Sequence, residues 1–200
     1  MKQLLIILFL SITFTLSSQQ FSSEVFHDGF MVTTEKDTIK GDLKYDLDAN
    51  ILTVIHQGKT KSFSSHKVFY FEIFDKILNN YRQFYSIPYT VNVGYKIPVF
   101  FELVYEGKLS LMAREHIVSQ TVNSSSAYWG GGTGTQLVIR YSYFFMDSNG
   151  TITYFTGRKK ELLSFMAKKQ SDIKKFIKDN KLDTDEMADL VRITAFYNSI

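Results

Sequence analysis

"TIKGDLKYDLDANILTVIHQG", Thr38 to Gly58, alternates in character from one residue to the next. Ile39, Leu43 and Tyr45 share one phase, with Gly41 between them, and Lys40, Asp42 and Lys44 share the other. A period of two predicts a strand with one face inward and the other charged. Leu47 to Asn50 reads as a turn, Leu52 and Val54 resume the inward phase, and Gln57-Gly58 reads as the next turn. Working outward, the same period dominates from Phe30 to about Phe155. "VFYFEIF", Val68 to Phe74, is a continuous aromatic run expected to form a strand covered on both faces. Strand pairs are expected at Val99 to Glu115 and at Leu137 to Phe155.

Faces set the expected register of the hairpin "FFELVYEGKLSLMARE", Phe100 to Glu115. A two-residue loop at Glu106-Gly107 places Glu102 opposite Leu111, among leucines. A three-residue loop, Tyr105 to Gly107, pairs Val104 with Lys108 and puts Val99, Phe101 and Leu103 on one face with Leu109, Leu111 and Ala113. Glu102 then joins Lys108, Ser110 and Arg114 on the wetter face. An unpaired buried carboxylate costs several kcal/mol, so the three-residue loop is the expectation.

After Gly157 the period lengthens. Leu162, Leu163 and Met166, then Ile173, Phe176 and Ile177, fit helical spacing. Asp183 with Glu186 matches a capping box with Asp at its first position, ahead of a last helix marked by Met187, Leu190, Val191 and Thr194. The expected fold is mainly β (α+β): antiparallel sheets, or a small twisted barrel, built from hairpins, with two or three short C-terminal helices. The expected organisation is a signal peptide at 1–18, a β-rich domain at 19–157 and a helical segment packed on it at 158–200.

The amino terminus carries that first division. Lys2 precedes Leu4 to Leu16, an apolar run of 13 residues, and small polar residues follow. A spanning helix needs roughly 20 apolar residues, so the run reads as a secretory signal with cleavage near Ser18. No later run is apolar enough to span a membrane. The 200 residues include no Cys, so neither a structural disulfide nor a lipid-modified Cys is available, and burial must hold the exported domain together. The net charge of +3 is too small to imply a polyanionic partner by itself.

"SSSAYWGGGTGTQLVIRYSYF", Ser124 to Phe144, holds the one Trp of the chain. A phosphate-binding loop is followed by a helix, and here a strand follows. The Ser- and Gly-rich part ahead of the strand that starts at Gln136 is expected to be a slack connection, with Tyr128 and Trp129 as anchors if it binds anything. His27, His56, His66 and His116 are scattered without metal spacing. Ser64 to Lys67 and Ser171 to Lys174 match S-x-x-K without its companion motifs, and no GxSxG is present. Glu102, Glu106 and Glu115 sit on one hairpin, and catalysis by paired carboxylates needs a cleft. Asn123 and Asn149 begin glycosylation sequons, which matter only in a eukaryotic source. No catalytic residue, metal or cofactor is expected. Residues 158–181 carry nine Lys or Arg against three Asp or Glu, so the rest of the chain is net acidic. Lys168, Lys169, Lys174, Lys175 and Lys178 are the candidates for contact with an anionic surface.

"GFMVTTEKDTIKGDLKYD" (Gly29 to Asp46), "FFELVYEGKLSL" (Phe100 to Leu111) and the ending "DIKKFIKDNKLD…FYN" (Asp172 to Asn198) resemble a group of exported β-rich proteins of Bacteroidetes that has no established activity. The resemblance covers most of the mature chain and implies compartment and architecture only. Gly41, Leu43, Tyr45, Asp46, Asn50 and Leu52 also resemble the first motif of Sm-like small barrels. "SSHKVFYF" stands where the second motif belongs, so that likeness implies a small twisted barrel and no RNA site. Asp46 and Asn50 read as turn residues.

These readings lead to an exported, envelope-associated protein that works by binding or structural association, without catalysis. Its partner is an envelope component or another protein, and not nucleic acid. A hydrolase of envelope polymers with acidic residues in a cleft is one alternative. A carrier of an apolar ligand, given the aromatics from Val68 to Tyr89, is another.

Overall fold

The computed structural model describes residues 20–92, 94–124 and 132–200. The expected signal peptide and the anchors Tyr128 and Trp129 lie outside the described residues. The chain is mainly β: one ten-stranded antiparallel sheet followed by short helices. The strands are β1 (His27–Thr33), β2 (Thr38–Asp46), β3 (Ile51–His56), β4 (Lys59–Ser64) and β5 (Val68–Asp75). They continue as β6 (Asn80–Asn92), β7 (Tyr95–Tyr105), β8 (Ser110–Ser124), β9 (Gly132–Met146) and β10 (Ile152–Phe155). The helices are α1 (Lys159–Phe165), α2 (Gln170–Asp179) and α3 (Met187–Ser199).

The sheet order is β10-β9-β8-β7-β6-β5-β1-β2-β3-β4. The chain meanders from β1 to β4, returns to lay β5 along the free side of β1, and meanders again to β10. The sheet is not closed into a barrel: β4 and β10 are its edges. It curls nevertheless. A Cβ on Gly29 would lie 2.1 Å from the Glu72 carbonyl oxygen, and one on Gly41 2.1 Å from that of Ile55. These two glycines face each other across β1 and β2, and each lets the carbonyl of a third strand, β5 for Gly29 and β3 for Gly41, come closer than a Cβ would allow. The curl brings the β2–β3 turn against β7 and β8. Asn50 accepts from the Phe100 amide at 3.0 Å and from Arg114, which also donates to the Leu47 carbonyl. Burial holds the Arg114 guanidinium below its ordinary pKa.

The concave face holds a core that includes Leu43, Leu52, Phe71, Phe84 and Phe100. The Phe71 and Phe84 rings stack at 4.7 Å, and Phe71 meets Phe100 edge-on at 5.2 Å. At the other end the helices cover Leu111, Phe145 and Phe155 with Leu162, Met166, Ile173, Ile177 and Leu190. Phe101, Met112 and Phe144 form a third cluster.

The turns at 47–50 and 57–58 form as the sequence predicts, the second with Gln57 at φ 50° and Gly58 at φ 72°, the left-handed pair that suits a two-residue hairpin loop. Three expectations fail. Only one face of β5 is fully buried; Phe69 is 56% exposed, and Tyr70, Glu72 and Phe74 are half-buried. The hairpin register pairs Glu102 with Ala113, Leu103 with Met112 and Tyr105 with Leu111, with a bulge at Val104. The loop is therefore Glu106 to Leu109, and Leu109 leaves the strand to pack under the helices. Burying Glu102 is costly only without a partner, and Arg82 on β6 supplies one. Finally, Asp183 caps a local turn by accepting from the Asp185 amide at 2.9 Å, and α3 begins three residues later than a capping box there requires. Thr184 is held by the Gly157 carbonyl, which keeps that segment out of the helix.

Candidate functional site

Along β1, β2 and β5 to β8, the inward apolar stripe of the concave face runs into one polar residue. On β5 the stripe is Phe71, Ile73, Asp75; on β6, Arg82 and Phe84; on β7, Phe100 and Glu102. On β8 it is Leu111, Ala113, Glu115; on β2, Leu43 and Tyr45; on β1, Met31 and, beyond Gly29, His27. The curl of the sheet gathers these ends around Arg82, which is 3% exposed.

The Arg82 guanidinium uses all five of its N–H donors. Nε and one Nη grip Glu102 side-on, at 2.8 and 2.6 Å. That Nη also donates to Glu115 Oε2 at 2.9 Å. The other Nη donates to Asp75 Oδ2 at 2.9 Å and to the Tyr45 hydroxyl at 2.8 Å. Tyr45 in turn donates to Glu115 Oε1 at 2.6 Å. The guanidinium lies 5.0 Å from the Phe84 ring centroid and 5.6 Å from that of Tyr45. Three carboxylates on one cation leave a formal surplus of negative charge, so the cluster is held by hydrogen-bond satisfaction as much as by charge balance.

Burial tends to raise the Asp75 carboxyl, but the Leu78 and Ile77 amides, Ser22 and Arg82 outweigh it and hold Asp75 below its ordinary value. Burial pushes the Tyr45 hydroxyl far up, with Arg82 opposing and Glu115 adding to the rise. Burial also works against the Arg82 charge, and Glu102 overcomes it, so the guanidinium stays firmly protonated. His27, fully buried, accepts the Lys76 amide at Nδ1 (3.0 Å) and has Nε2 2.7 Å from the Ser22 carbonyl, which assigns the Nε2–H tautomer.

A cleft of about 420 Å³ opens beside Tyr45 and Glu115, between β2, β3 and β8. Glu24, Asp46 and Asp48 stand at its mouth. Each has a protein partner already: the Phe21 amide, the Ala49 amide and His116. Both oxygens of Glu115 are engaged from within. Glu24, Asp46 and Asp48 each have one oxygen engaged in this way, and among the described residues no group of three or more His, Cys, Asp or Glu could hold a metal ion.

Of the three glutamates on the hairpin, the structure brings Glu102 and Glu115 together and leaves Glu106 exposed in the loop. The four histidines stay apart; His56 bonds the Lys40 carbonyl, and His66 is exposed on a turn. Sequence reasoning missed Tyr45, Asp75 and Arg82 as a group. The signal was present: each is a polar residue in phase with an apolar stripe.

The basic candidates lie at the opposite, helical end. Lys168 and Lys169 form the short turn before α2, and Lys174, Lys175 and Lys178 lie on α2 itself. Four are exposed and Lys169 is half-buried, while Ile173 and Ile177 anchor α2 from beneath. Asp172 and Asp179 share the exposed side of α2, yet none of the five lysines makes an ion pair among the described residues.

Comparison with protein-family models, with curated proteins and with solved structures finds no match for the chain.

Proposed function

We propose that this chain is an exported protein of the bacterial envelope that works by binding, without catalysis, and that its lysine-bearing helical end is the contact surface. One contrast carries the reading. The acids beside the cleft have partners within the protein, whereas four of the five lysines of the helical end are exposed and none of the five makes an ion pair among the described residues. The apolar run behind Lys2 supports export, and the absence of Cys agrees with a domain held by burial alone. Among the described residues no helix is long and apolar enough to cross a membrane, so attachment by surface contact fits.

Co-sedimentation with phosphatidylglycerol vesicles at two salt concentrations tests this reading. The parent sediments with the vesicles, and less so at higher salt, since exposed charges are screened within about 10 Å at 0.1 M. Changing Lys168, Lys169, Lys174, Lys175 and Lys178 together to Glu abolishes sedimentation and leaves the fold intact. Equal sedimentation of parent and variant refutes the reading.

A hydrolase of envelope polymers is the second reading, favoured by the meeting of Glu102 and Glu115 near a cleft. It requires one of them to release Arg82 on substrate binding. Hydrolysis of envelope polysaccharide by the parent and not by Glu115→Gln is the result that would put it first.

A further inference from the structure

A second cleft, of about 330 Å³, lies where the β7–β8 loop meets the helices. Lys108 comes to it from the loop, and Lys168 and Lys169 come from the turn between α1 and α2, some sixty residues later. Leu109, Phe165 and Tyr197 supply its apolar lining. We infer that this cleft is a binding site for an anionic group joined to an apolar body: a phosphate or carboxylate held by the lysines, with an aryl or alkyl portion on Leu109, Phe165 and Tyr197. The inference rests on the reading of the helical end as anion-binding and gives that surface a specific seat.

The backbone next to Lys108 and at Lys169 is held in place by the fold. Asn198 of α3 accepts from the Leu109 amide at 3.1 Å and donates to the Leu109 carbonyl at 2.9 Å, which clamps the loop next to Lys108. Gly107 packs on the same side chain, where a Cβ would lie 2.7 Å from the Asn198 amide group. The Lys169 amide bonds the carbonyl of the fully buried Met166 at 3.0 Å. Gathering like charges is unfavourable unless an anion offsets it. Among the described residues, Lys108, Lys168 and Lys169 have no ion pair. Asp147, the acid that lines the cleft, is occupied in its own turn, where Oδ1 accepts the Asn149 and Thr151 amides at 2.9 Å. Ser148 lines the same space. The volume sits at the low end of small-molecule clefts, roughly 300–1,000 Å³, and so suits one headgroup or one small phosphoester rather than a polymer.

The test is calorimetric titration of the purified chain with phenyl phosphate and, separately, inorganic phosphate, followed by competition against phosphatidylglycerol vesicles. Phenyl phosphate should bind about tenfold or more tighter than inorganic phosphate, because only it reaches the apolar lining. Lys108→Gln and Lys169→Gln should each weaken it about tenfold, the loss of one charge-assisted hydrogen bond. Lys61→Gln, on β4, should leave it unchanged. Displacement of the chain from vesicles by phenyl phosphate identifies the natural ligand as a lipid headgroup; tight binding without displacement identifies a soluble phosphoester. Phenyl phosphate that binds no tighter than inorganic phosphate, or that ignores Lys108→Gln, overturns the inference. Vesicle binding without phenyl phosphate binding sinks the cleft and leaves the broader envelope reading standing. Phenyl phosphate binding without vesicle binding does the reverse.

Discussion

Arg82→Met removes the cation at the centre of the polar cluster and keeps a side chain of similar length. Asp75, Glu102 and Glu115 then face one another with no guanidinium between them, and Tyr45 loses one of its two partners in the cluster. Breaking a buried ion pair by removing one partner costs about 3–5 kcal/mol, because the other charge is left uncompensated. Three acids depend on Arg82, so neutral pH should place the cost at the top of that range. Whole domains are stable by about 5–15 kcal/mol, so the variant should be marginal. With a urea slope of about 1–3 kcal/mol/M, the midpoint should fall by about 2 M. The cost should shrink toward acid pH, because a buried acid deprived of its cation takes up a proton more readily. The triple variant Arg82→Met, Glu102→Gln, Glu115→Gln should recover part of the loss, since no unpaired charge remains on the glutamates. A loss under about 1 kcal/mol in the single variant, or one independent of pH, refutes the account of Arg82 as the organiser of the concave face.

Asn198→Ala frees the amide and carbonyl of Leu109, both partly buried, and should cost about 1–3 kcal/mol in urea denaturation; a neutral result would show that the loop is held without the clamp. Asp75 is held below its ordinary value of 3.8, so its contribution is complete above that pH and is lost as pH falls below it. Stability measured from about pH 6 downward should therefore decline below the ordinary carboxylate range, and Asp75→Asn should flatten that decline; an equal decline in both proteins rejects the assignment.

Much of the fold could be read from local pattern. The alternation through Ile39, Leu43 and Tyr45, the turn residues at 47–50 and 57–58, and the helical spacing of Ile173 and Ile177 each draw on neighbours in the chain, and each appears in the structure. The β7–β8 register could not be read this way. It is set by Arg82, twenty positions before Glu102, and by Asn198, eighty-nine positions after Leu109. The start of α3 failed for the same reason, since Thr184 answers to Gly157 rather than to its own helix. The polar cluster was half legible. Each member stands in phase with its strand's apolar stripe, but the curl that brings Tyr45 to Glu115 depends on the facing of Gly29 and Gly41 across two strands. The basic helical end was legible as composition. The convergence of Lys108 on it was not, because the β7–β8 loop and α1 approach only in three dimensions.

Amide hydrogen exchange, with and without phosphatidylglycerol vesicles, tests most directly the claim that the helical end makes the contact and the Arg82 cluster is internal structure. The account predicts added protection confined to residues 158–181 and the loop from Glu106 to Leu109, with the amides of Tyr45, Arg82 and Glu115 unchanged. Protection centred on the cleft beside Tyr45 and Glu115, or none at the helical end, would contradict it.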